Sequence, residues 1–305
     1  MDLKQLNHLM AVADYGSFSS AARALHTVQS NVSNHVAKLE KELGIVLLDR
    51  KTMQPTPEGQ TVIERARRIK NEVEAISGDL VNINEEIDGQ IKLGCVGITS
   101  RWIINPLLTK LRETFPSVSP ILIDTNNGSS IPKILGGNLD LAIVNAPIMN
   151  ARLESELLFD EEKVLLAPLD HPLAKYKSLT TEELSDYEIM LTPQGTVFRD
   201  LLDEELIAAG VELKIAAEVD GLRLLASLAH EGFAPALLPA SAASGYPDMN
   251  CSLIKINGLL KRPVSLIRNK RITPSLPART TRDLIREIIN DVGPTQPGIH
   301  VRLEG

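Results

Sequence analysis

Short polar side chains are followed by basic side chains between residues 29 and 51, in an order suited to binding DNA. The polar group comprises Gln29, Ser30, Ser33 and Asn34, and the basic group comprises Lys38, Arg50 and Lys51. Amides and hydroxyls donate and accept the hydrogen bonds that base edges offer in the major groove. Lysine and arginine bind the flanking phosphates and so fix a protein's position on the duplex. We therefore expect the polar group to read bases and the basic group to hold phosphates.

Three predicted helices and a hairpin must position these side chains. Apolar residues at helical spacing predict a first helix, and Ser19 or Ser20 can cap a short second helix over 21–25. The third helix is predicted over 29–43, with the polar group at its start. Residues 45–57 predict a short wing with the last two basic residues at its exposed end. Two short helices joined by a tight turn form a helix-turn-helix, although periodicity alone equally fits a three-helix bundle without a ligand.

An unbroken heptad pattern of apolar residues follows over 61–89. Its members are spaced alternately by four and three residues, and they are Val62, Ala66, Ile69, Val73, Ile76, Leu80, Ile83 and Ile87. A stripe this narrow is buried only against a partner helix, as in a coiled coil. The pattern therefore predicts a helix that pairs two copies of the chain, with a helix lying on its own domain as the alternative. Two reading helices in one dimer imply a two-fold DNA site, an interrupted palindrome.

Strands and helices alternate from residue 90 onward, which predicts parallel sheets covered by helices on both faces. The rhythm restarts in the middle of this region, so the pattern indicates two lobes rather than one. We assign 90–165 and 263–293 to lobe one and 166–262 to lobe two, so the chain crosses twice between them. The Pro- and Gly-containing residues after 293 are expected to form a flexible end.

Three strand-to-helix turns carry hydroxyls, amides and glycine where open sheets bind ligands. Candidate ligand contacts on these turns are Thr99, Ser100, Asn127, Ser129, Gly195 and Thr196. Val197 and Phe233 are candidate apolar walls. Helix N-termini attract negative charge, and Arg101, Arg199 and Arg223 are near in sequence, so the expected ligand is a small organic anion between the lobes. Helix capping alone is the other interpretation of each turn.

Charge is unevenly distributed along the 305 residues, whose net charge is −7. Residues 1–70 hold ten Lys and Arg against seven Asp and Glu, whereas residues 71–89 hold six acidic residues and no basic one. Local charge decides phosphate binding, so the modestly basic N-terminal part is compatible with DNA despite the acidic total.

Several classes of protein are disfavoured by what the sequence lacks. No apolar run reaches the ~18 residues of a membrane span, and the N-terminus shows no signal-peptide core. Cys95 and Cys251 suggest no disulfide framework, so we expect a cytoplasmic protein. The six histidines show no metal-ligand spacing, and no phosphate-loop, zinc or nucleophile-elbow motif occurs. We therefore expect no metal, no cofactor and no catalytic residue.

The first 60 residues carry the motif of a known family. Its positions are Gly16-Ser17-Phe18-Ser19-Ser20-Ala21-Ala22, Leu25, Gln29-Ser30, Val32-Ser33, Leu39-Glu40, Leu43-Gly44, Leu47, Arg50, Thr56 and Gly59. This run resembles the characteristic sequence of LysR-type transcriptional regulators, with its spacing intact. Four residues depart from the usual types, which leaves the operator sequence open. They are Val28, Asn34, Leu48 and Pro55.

The resemblance implies an N-terminal all-α winged helix-turn-helix over 1–60 and a dimerisation linker helix over 61–89. It also implies an α/β effector domain over 90–305, with the two-lobe architecture of periplasmic binding proteins, and a homodimer that pairs into a homotetramer through these domains. We expect a transcription regulator that binds double-stranded DNA and a small-molecule effector, with RNA polymerase as a candidate partner. A transport-type binding protein without a DNA role and an enzyme on the two-lobe fold are the alternatives.

Overall fold

The computed structural model describes residues 1–80, 87–96, 101–243 and 250–302. Its helices are α1 (Leu3–Tyr15), α2 (Phe18–Ala24), α3 (Gln29–Leu43), α4 (Pro57–Leu80), α5 (Arg101–Thr114), α6 (Asn127–Leu135), α7 (Thr181–Leu184), α8 (Val197–Ala209), α9 (Leu222–His230), α10 (Ala240–Ala243) and α11 (Leu276–Val292). Its strands are β1 (Gly89–Cys95), β2 (Val118–Asp124), β3 (Leu141–Asn145), β4 (Leu153–Glu161), β5 (Lys163–Pro168), β6 (Ser178–Thr180), β7 (Glu188–Leu191), β8 (Lys214–Glu218), β9 (Ala236–Pro239), β10 (Cys251–Asn257), β11 (Arg262–Asn269) and β12 (Ile299–Val301). Among the described residues, α1 to α4 precede β1, and strands and helices are mixed after it. The predicted alternation is incomplete, because β3, β4 and β5 follow one another without an intervening helix, as do β10 and β11.

The first three helices enclose the core of an N-terminal domain. Its fully buried side chains include Leu9, Val12, Val32, Val36 and Leu39. The short second helix begins at Phe18, three residues earlier than predicted. The reason is that Ser17, rather than Ser19 or Ser20, caps it by accepting from the backbone N–H of Ser20 at 3.1 Å.

A tight wing connects α3 to α4. Leu48 and Pro55 form an antiparallel bridge at its base. Asp49 closes the tip by accepting from the backbone N–H groups of Lys51 and Thr52 at 2.7 and 3.1 Å. These two hydrogen bonds hold the pKa of the Asp49 carboxyl below its ordinary value. Lys51 is exposed at the tip, where the sequence predicts it.

The first turns of α4 belong to the N-terminal domain. Ala66 is buried in the core of that domain, and Val62 packs against it. The sequence predicts that both residues belong to the dimer seam, and this prediction is wrong. The first turns of α4 pack on α1, so Ala66 and Val62 are covered within one chain. Ile69, Val73 and Ile76 are exposed, so the apolar stripe is open to a partner from Ile69 onward.

The last predicted seam positions have different surroundings. Leu80 ends α4, but its side chain lies outside the described residues, and so does Ile83. Ile87 precedes β1 and packs against the core of the region that follows it. It is therefore covered by its own chain rather than presented at the end of the seam.

Two six-stranded sheets form the rest of the chain. The first has the order β12-β4-β11-β3-β1-β2 and is lobe one, and the second has the order β6-β10-β5-β9-β7-β8 and is lobe two. β1, β2 and β3 are parallel neighbours in lobe one, and β7 is parallel to both β8 and β9 in lobe two. The predicted two-lobe α/β architecture is confirmed, but both sheets are mixed rather than parallel, because β11 is antiparallel to β3 and β4 and β5 is antiparallel to β9 and β10.

Residues 293–302 are held by regular structure and side-chain contacts, which corrects the prediction of a flexible tail for this part of the chain. β12 pairs antiparallel with the end of β4 at the edge of lobe one. Arg302 extends this contact by an ion pair with Asp160 at 2.7 Å. His300 also contacts Glu162, with its Nε2 2.9 Å from a carboxylate oxygen. The proline and glycine before β12 thus shape a turn rather than a free end.

The chain crosses between the lobes at Glu162 and again at 258–261, slightly earlier than predicted both times. Glu161 and Arg262 flank these crossings and form an ion pair, with Nε of Arg262 2.8 Å from the carboxylate. The carboxylate side chain is fully buried and the arginine side chain is 8% exposed. Lys163 adds a second pair by donating to Glu205 at 2.6 Å. We call the two crossings and their flanking residues the hinge. Ion pairs therefore hold the chain in place on both sides of the hinge.

Replacing Arg262 with methionine should strongly destabilise the fold, because Glu161 would be left as a buried charge without a cationic partner and would keep only the backbone N–H of Ser241 at 3.3 Å. The expected loss in the free energy of unfolding is about 3–5 kcal/mol. Arg286→Met is the matched control, since the pair of Arg286 with Glu156 leaves the arginine side chain 44% exposed and should be worth at most about 1 kcal/mol. Urea unfolding followed by circular dichroism measures both, and equal losses would contradict this account of the hinge.

Candidate DNA interface and effector cleft

One face of α3 is polar and open, while the opposite face packs into the N-terminal domain. Gln29, Ser30, Asn34 and Lys38 are exposed, and Ser33 is half-buried. The predicted base-reading and phosphate-binding residues of this helix therefore lie together on one accessible surface. It is the kind of surface that a recognition helix presents to the major groove.

The inner side of α3 is held against α1 by a pair of stacked imidazoles. The rings of His8 and His35 have centroids 4.4 Å apart and planes inclined by 17°. Burial lowers the pKa of His35, and the neighbouring His8 lowers it further. His35 is therefore neutral at neutral pH, and its ring stabilises the helix pair without adding charge near the DNA-facing side.

Arg50 is engaged within the N-terminal domain, which revises its predicted role on phosphates. Its guanidinium pairs with Glu40 of α3 and lies over the ring of Phe18, 5.3 Å from the centroid. Glu40 also accepts from the backbone N–H groups of Leu47 and Leu48 at 2.9 and 3.3 Å. Arg50 thus ties the wing to the reading helix, and Lys38 and Lys51 are better placed to meet phosphates.

A second candidate site lies between the lobes, where the carboxyl edges of the two sheets face each other. β4 runs in the direction of β3, because both are antiparallel to β11, and it ends at the crossing. β5 starts there, and its first residue, Lys163, pairs with Pro239 at the carboxyl end of β9. The crossing therefore brings the strand-to-helix turns of both lobes to one cleft, as ligand sites in open sheets require.

An ion pair spans this cleft. Asp124 at the end of β2 accepts from Arg223 in the first turn of α9 at 2.9 Å. Both side chains are about two-thirds exposed, at 66% and 69%, so the pair is weak and can be exchanged for other partners. In the sequence, Arg223 is a candidate only because it lies close to the predicted turn at Gly221. Asp124 has no local sequence signal, because its role depends on an arginine 99 residues away.

The lobe-one turn before α6 is stabilised by its own side chains. Asn126 and Ser129 cap each other's backbone N–H groups at 2.9 and 3.1 Å. The amide of Asn127 bonds to both backbone groups of Asn145, at 2.6 and 3.0 Å. The predicted contacts Asn127 and Ser129 therefore shape the cleft wall. Residues 97–100, which include Thr99 and Ser100, lie outside the described residues.

The lobe-two turn before α8 is more open to a ligand. Gly195 donates its N–H to Asp200 at 3.0 Å, and Thr196 donates its hydroxyl to the backbone of Pro193 at 2.8 Å. Thr196 at the N-cap of α8 makes no side-chain capping hydrogen bond, and Val197 at the first helical position is 64% exposed. The N-terminus of α8 therefore lacks the kind of cap that Asn126 provides for α6.

Two predictions for lobe two are corrected. Arg199 is buried and pairs with Asp203 and Glu218, each at 2.7 Å. Burial alone would lower its pKa, but these two hydrogen-bonded carboxylates outweigh burial and raise it. Its charge is therefore already neutralised within lobe two.

Phe233 lies at the wrong edge of its sheet for a cleft wall. It precedes β9 by three residues, and Ala236 at the start of β9 pairs with Met190. β7 and β9 are parallel, so Phe233 is near their amino ends, opposite the turn before α8. Its side chain is 63% exposed there.

Within the described residues, no group of three or more His, Cys, Asp and Glu side chains is arranged to hold a metal ion. The same part of the chain contains no helix long and apolar enough to cross a membrane.

Cys95 and Cys251 are both buried as free thiols, and burial raises the pKa of Cys251 to about 11.

Comparison with known proteins connects both sites to one family. The family model described as "Bacterial regulatory helix-turn-helix protein, lysR family" matches residues 3–60, and "LysR substrate binding domain" matches residues 84–289. The chain is 30% identical over 249 residues to a probable nitrogen assimilation transcriptional activator of Synechococcus elongatus, covering 79% of this chain and 80% of that protein.

Solved structures show the same arrangement along the whole chain. A full-length OxyR variant from Pseudomonas aeruginosa superposes with a TM-score of 0.77 at 23% identity, covering 95% of each chain. Full-length CbnR in complex with its target DNA gives a TM-score of 0.62 at 25% identity, covering 94% of this chain and 100% of that one. The chain belongs to the LysR family and is a DNA-binding transcription regulator with an effector-binding domain.

Proposed function

We propose that this regulator binds an interrupted palindrome as a dimer and is modulated by a small organic anion bound between its two lobes. The observation that carries the DNA-binding part is the exposed polar face of α3, which continues into basic residues. Gln29, Ser30 and Asn34 read bases, while Lys38 and Lys51 hold phosphates on either side of the groove. Arg50 acts indirectly, by fixing the wing to α3 through Glu40.

Dimerisation is assigned to the exposed stripe of α4. Ile69, Val73 and Ile76 lie 40%, 43% and 61% exposed in a single chain. A groove of about 300 Å³ beside them, between α1 and α4, is lined by further apolar side chains such as Leu3 and Met10. A second copy of α4 covers this surface and removes its apolar area from water.

Pairing of dimers is assigned to the effector domains. β2 and β8 are edge strands of their sheets and present apolar side chains to solvent. These are Ile121, Leu122 and Ile215, each about 40% exposed. Exposed apolar edges favour contacts between copies of a chain, which supports a homotetramer.

An anionic effector is favoured by the charges and donors on the lobe-two side of the cleft. The N-termini of α8 and α9 both lack a side-chain cap, and Arg223 lies in the first turn of α9. In contrast, α6 on the lobe-one side is fully capped by its own residues. Uncapped helix N-termini and a guanidinium together suit a carboxylate or another small anion. Arg223 then exchanges Asp124 for the ligand.

Replacing Asn34 or Lys51 should separate base reading from phosphate binding. Asn34→Ala removes a base contact, so it should cost about 1–3 kcal/mol on the preferred sequence and relax the preference. Lys51→Ala should weaken binding to all sequences and reduce the salt slope by about one unit. Fluorescence anisotropy on the DNA upstream of the protein's own gene, over a range of salt concentrations, measures both. Unchanged affinity and preference in Asn34→Ala would show that this residue does not read bases.

A charge in the α4 stripe should disrupt the dimer. Val73→Glu would bury a carboxylate against its two-fold mate, which is unfavourable without a partner. We expect dissociation and a large loss of operator affinity, because the two half-sites are no longer bound together. Val73→Ala, which shortens the same side chain without adding a charge, is the control and should remain dimeric. Sedimentation analysis that finds the same mass for Val73→Glu and wild type would remove this stripe from the interface.

Loss of the Arg223 charge should weaken effector binding. Thermal-shift measurements with a panel of small mono- and dicarboxylates should first identify a stabilising anion. For that anion, Arg223→Met should raise the Kd about tenfold to a hundredfold, since a hydrogen bond to a charged group is worth about 1.5–3 kcal/mol and about 1.4 kcal/mol is tenfold. Arg112→Met, an exposed arginine in the last turn of α5, should leave the Kd unchanged. If no anion stabilises the protein, or if both variants bind it equally well, the assignment of Arg223 is wrong.

A further inference from the structure

A second face of α4 contacts lobe one of the same chain. The Cα of Gly137, in the turn after α6, approaches Arg67 so closely that a Cβ on this glycine would lie 3.1 Å from Cβ of the arginine. A Cβ on Gly136 would lie 3.9 Å from Cγ of Glu64, and the backbone N–H of Thr273 donates to Glu72 at 3.4 Å. The DNA-binding part is therefore joined to lobe one by side-chain contacts as well as by the chain itself.

This contact leaves the dimer stripe open. Successive residues of an α-helix are separated by about 100°, so Arg67 points away from Ile69, Val73 and Ile76. Those three side chains remain exposed while Arg67 is buried. One helix can thus pair with a second copy and hold lobe one at the same time.

Arg67 connects lobe one to α1. Its stem lies on the backbone of Gly137, and its guanidinium pairs with Asp14 of α1. The arginine side chain is 10% exposed. A cleft of about 350 Å³, lined by Asp14, Arg67, Lys92 and Asp140 among others, adjoins the contact. The Gly137 turn is therefore linked through Arg67 to α1, the helix that packs behind α3.

α6 joins this contact to the effector cleft. Its N-cap, Asn126, follows two residues after Asp124, the lobe-one partner of the ion pair across the cleft. Its C-terminal end leads directly into Gly136 and Gly137. Nine helical residues span about 13 Å and move as one unit. The two ends of α6 therefore lie at the effector cleft and at the turn that touches Arg67.

We propose that α6, Gly137, Arg67 and Asp14 form a relay that couples the state of the effector cleft to the position of the DNA-reading helix. The proposal rests on the proposed function, namely an anion in the cleft and DNA on α3. When Arg223 pairs with the anion instead of Asp124, the ion pair across the cleft is broken, and the end of β2 and α6 shift together. The shift moves the Gly137 turn against Arg67, and Asp14 carries it to α1.

Coupling between two sites is reciprocal, so DNA bound at α3 must affect the turn after α6. The backbone N–H groups of Gly136 and Asn138 donate within this turn, to Pro132 and Lys133 at 2.9 and 2.8 Å. Their hydrogen exchange reports its local opening. The test measures exchange over 131–140 in the full chain by mass spectrometry, with and without a saturating duplex from the DNA upstream of its own gene.

DNA should slow exchange in this segment of the wild type about fivefold or more, the lower end of typical coupling free energies. Arg67→Met keeps the stem on Gly137 but cannot pair with Asp14, so the slowing should be lost. Asp14→Asn should also lose the slowing of exchange. It is a milder change, at a 37% exposed carboxylate, and it tests the relay even if Arg67→Met does not fold. Arg112→Met removes the same charge far from α4 and should retain the slowing.

The alternative outcomes separate the two proposals. If DNA binds but does not slow exchange in wild type, or slows it equally in Arg67→Met, Asp14→Asn and Arg112→Met, the relay is overturned while DNA binding stands. If the wild-type chain fails to bind DNA, the proposed function is overturned and the relay with it.

Discussion

Glu161 and Arg262 meet where the chain passes between its two sheets, and the position of every ligand-facing turn depends on that meeting. A buried carboxylate is tolerated only with a partner, so the two crossings cannot separate without exposing or stranding a charge. Because β4 ends and β5 begins at this point, the carboxyl edges of both sheets must face each other. The cleft therefore follows from the order and direction of the strands, and the ion pair holds the two crossings together beside it. Lys163 with Glu205 and the β12 contacts reinforce the same place.

The long helix α4 distributes contacts among three parts of the protein. Its first turns complete the core of the N-terminal domain, one face lies on lobe one, and the opposite face leaves apolar side chains exposed, the stripe that we propose pairs with a second copy. These assignments explain why α4 carries both a heptad stripe and charged residues such as Glu64 and Arg67. A regulator needs its reading helices at a fixed spacing and its effector lobes within reach of them, and a single rigid helix provides both.

Features that depend on neighbouring residues could be predicted from the sequence, whereas features that depend on distant partners could not. The three N-terminal helices, the exposed side of α3 and the two-lobe alternation follow from periodicity. Ala66 fits the heptad pattern equally well, but the packing of α4 on α1 removes it from the seam. Arg50 and Arg199 look like free cations in the sequence, and only the fold brings Glu40 and Glu218 to them.

The same reason explains the partial success at the effector cleft. Turns rich in hydroxyls and amides mark helix N-termini, but they do not reveal whether those groups cap their own helix, as Asn126 and Ser129 do. The pairing of Asp124 with Arg223 joins residues 99 positions apart and has no local signature. The strand β12 also has no local signature in the sequence, because it is stabilised by pairing with β4 rather than by its own residues.

The central claim is that two copies of the α3 surface, held by α4, read DNA with two-fold symmetry. Selection of duplexes from a random-sequence pool by the full-length protein, followed by sequencing, tests it most directly. The account predicts enrichment of an interrupted palindrome whose half-sites are centred about one or more helical turns apart, roughly 10 base pairs or a multiple of this. Enrichment of a single unsymmetrical motif, or of no motif at all, would contradict it.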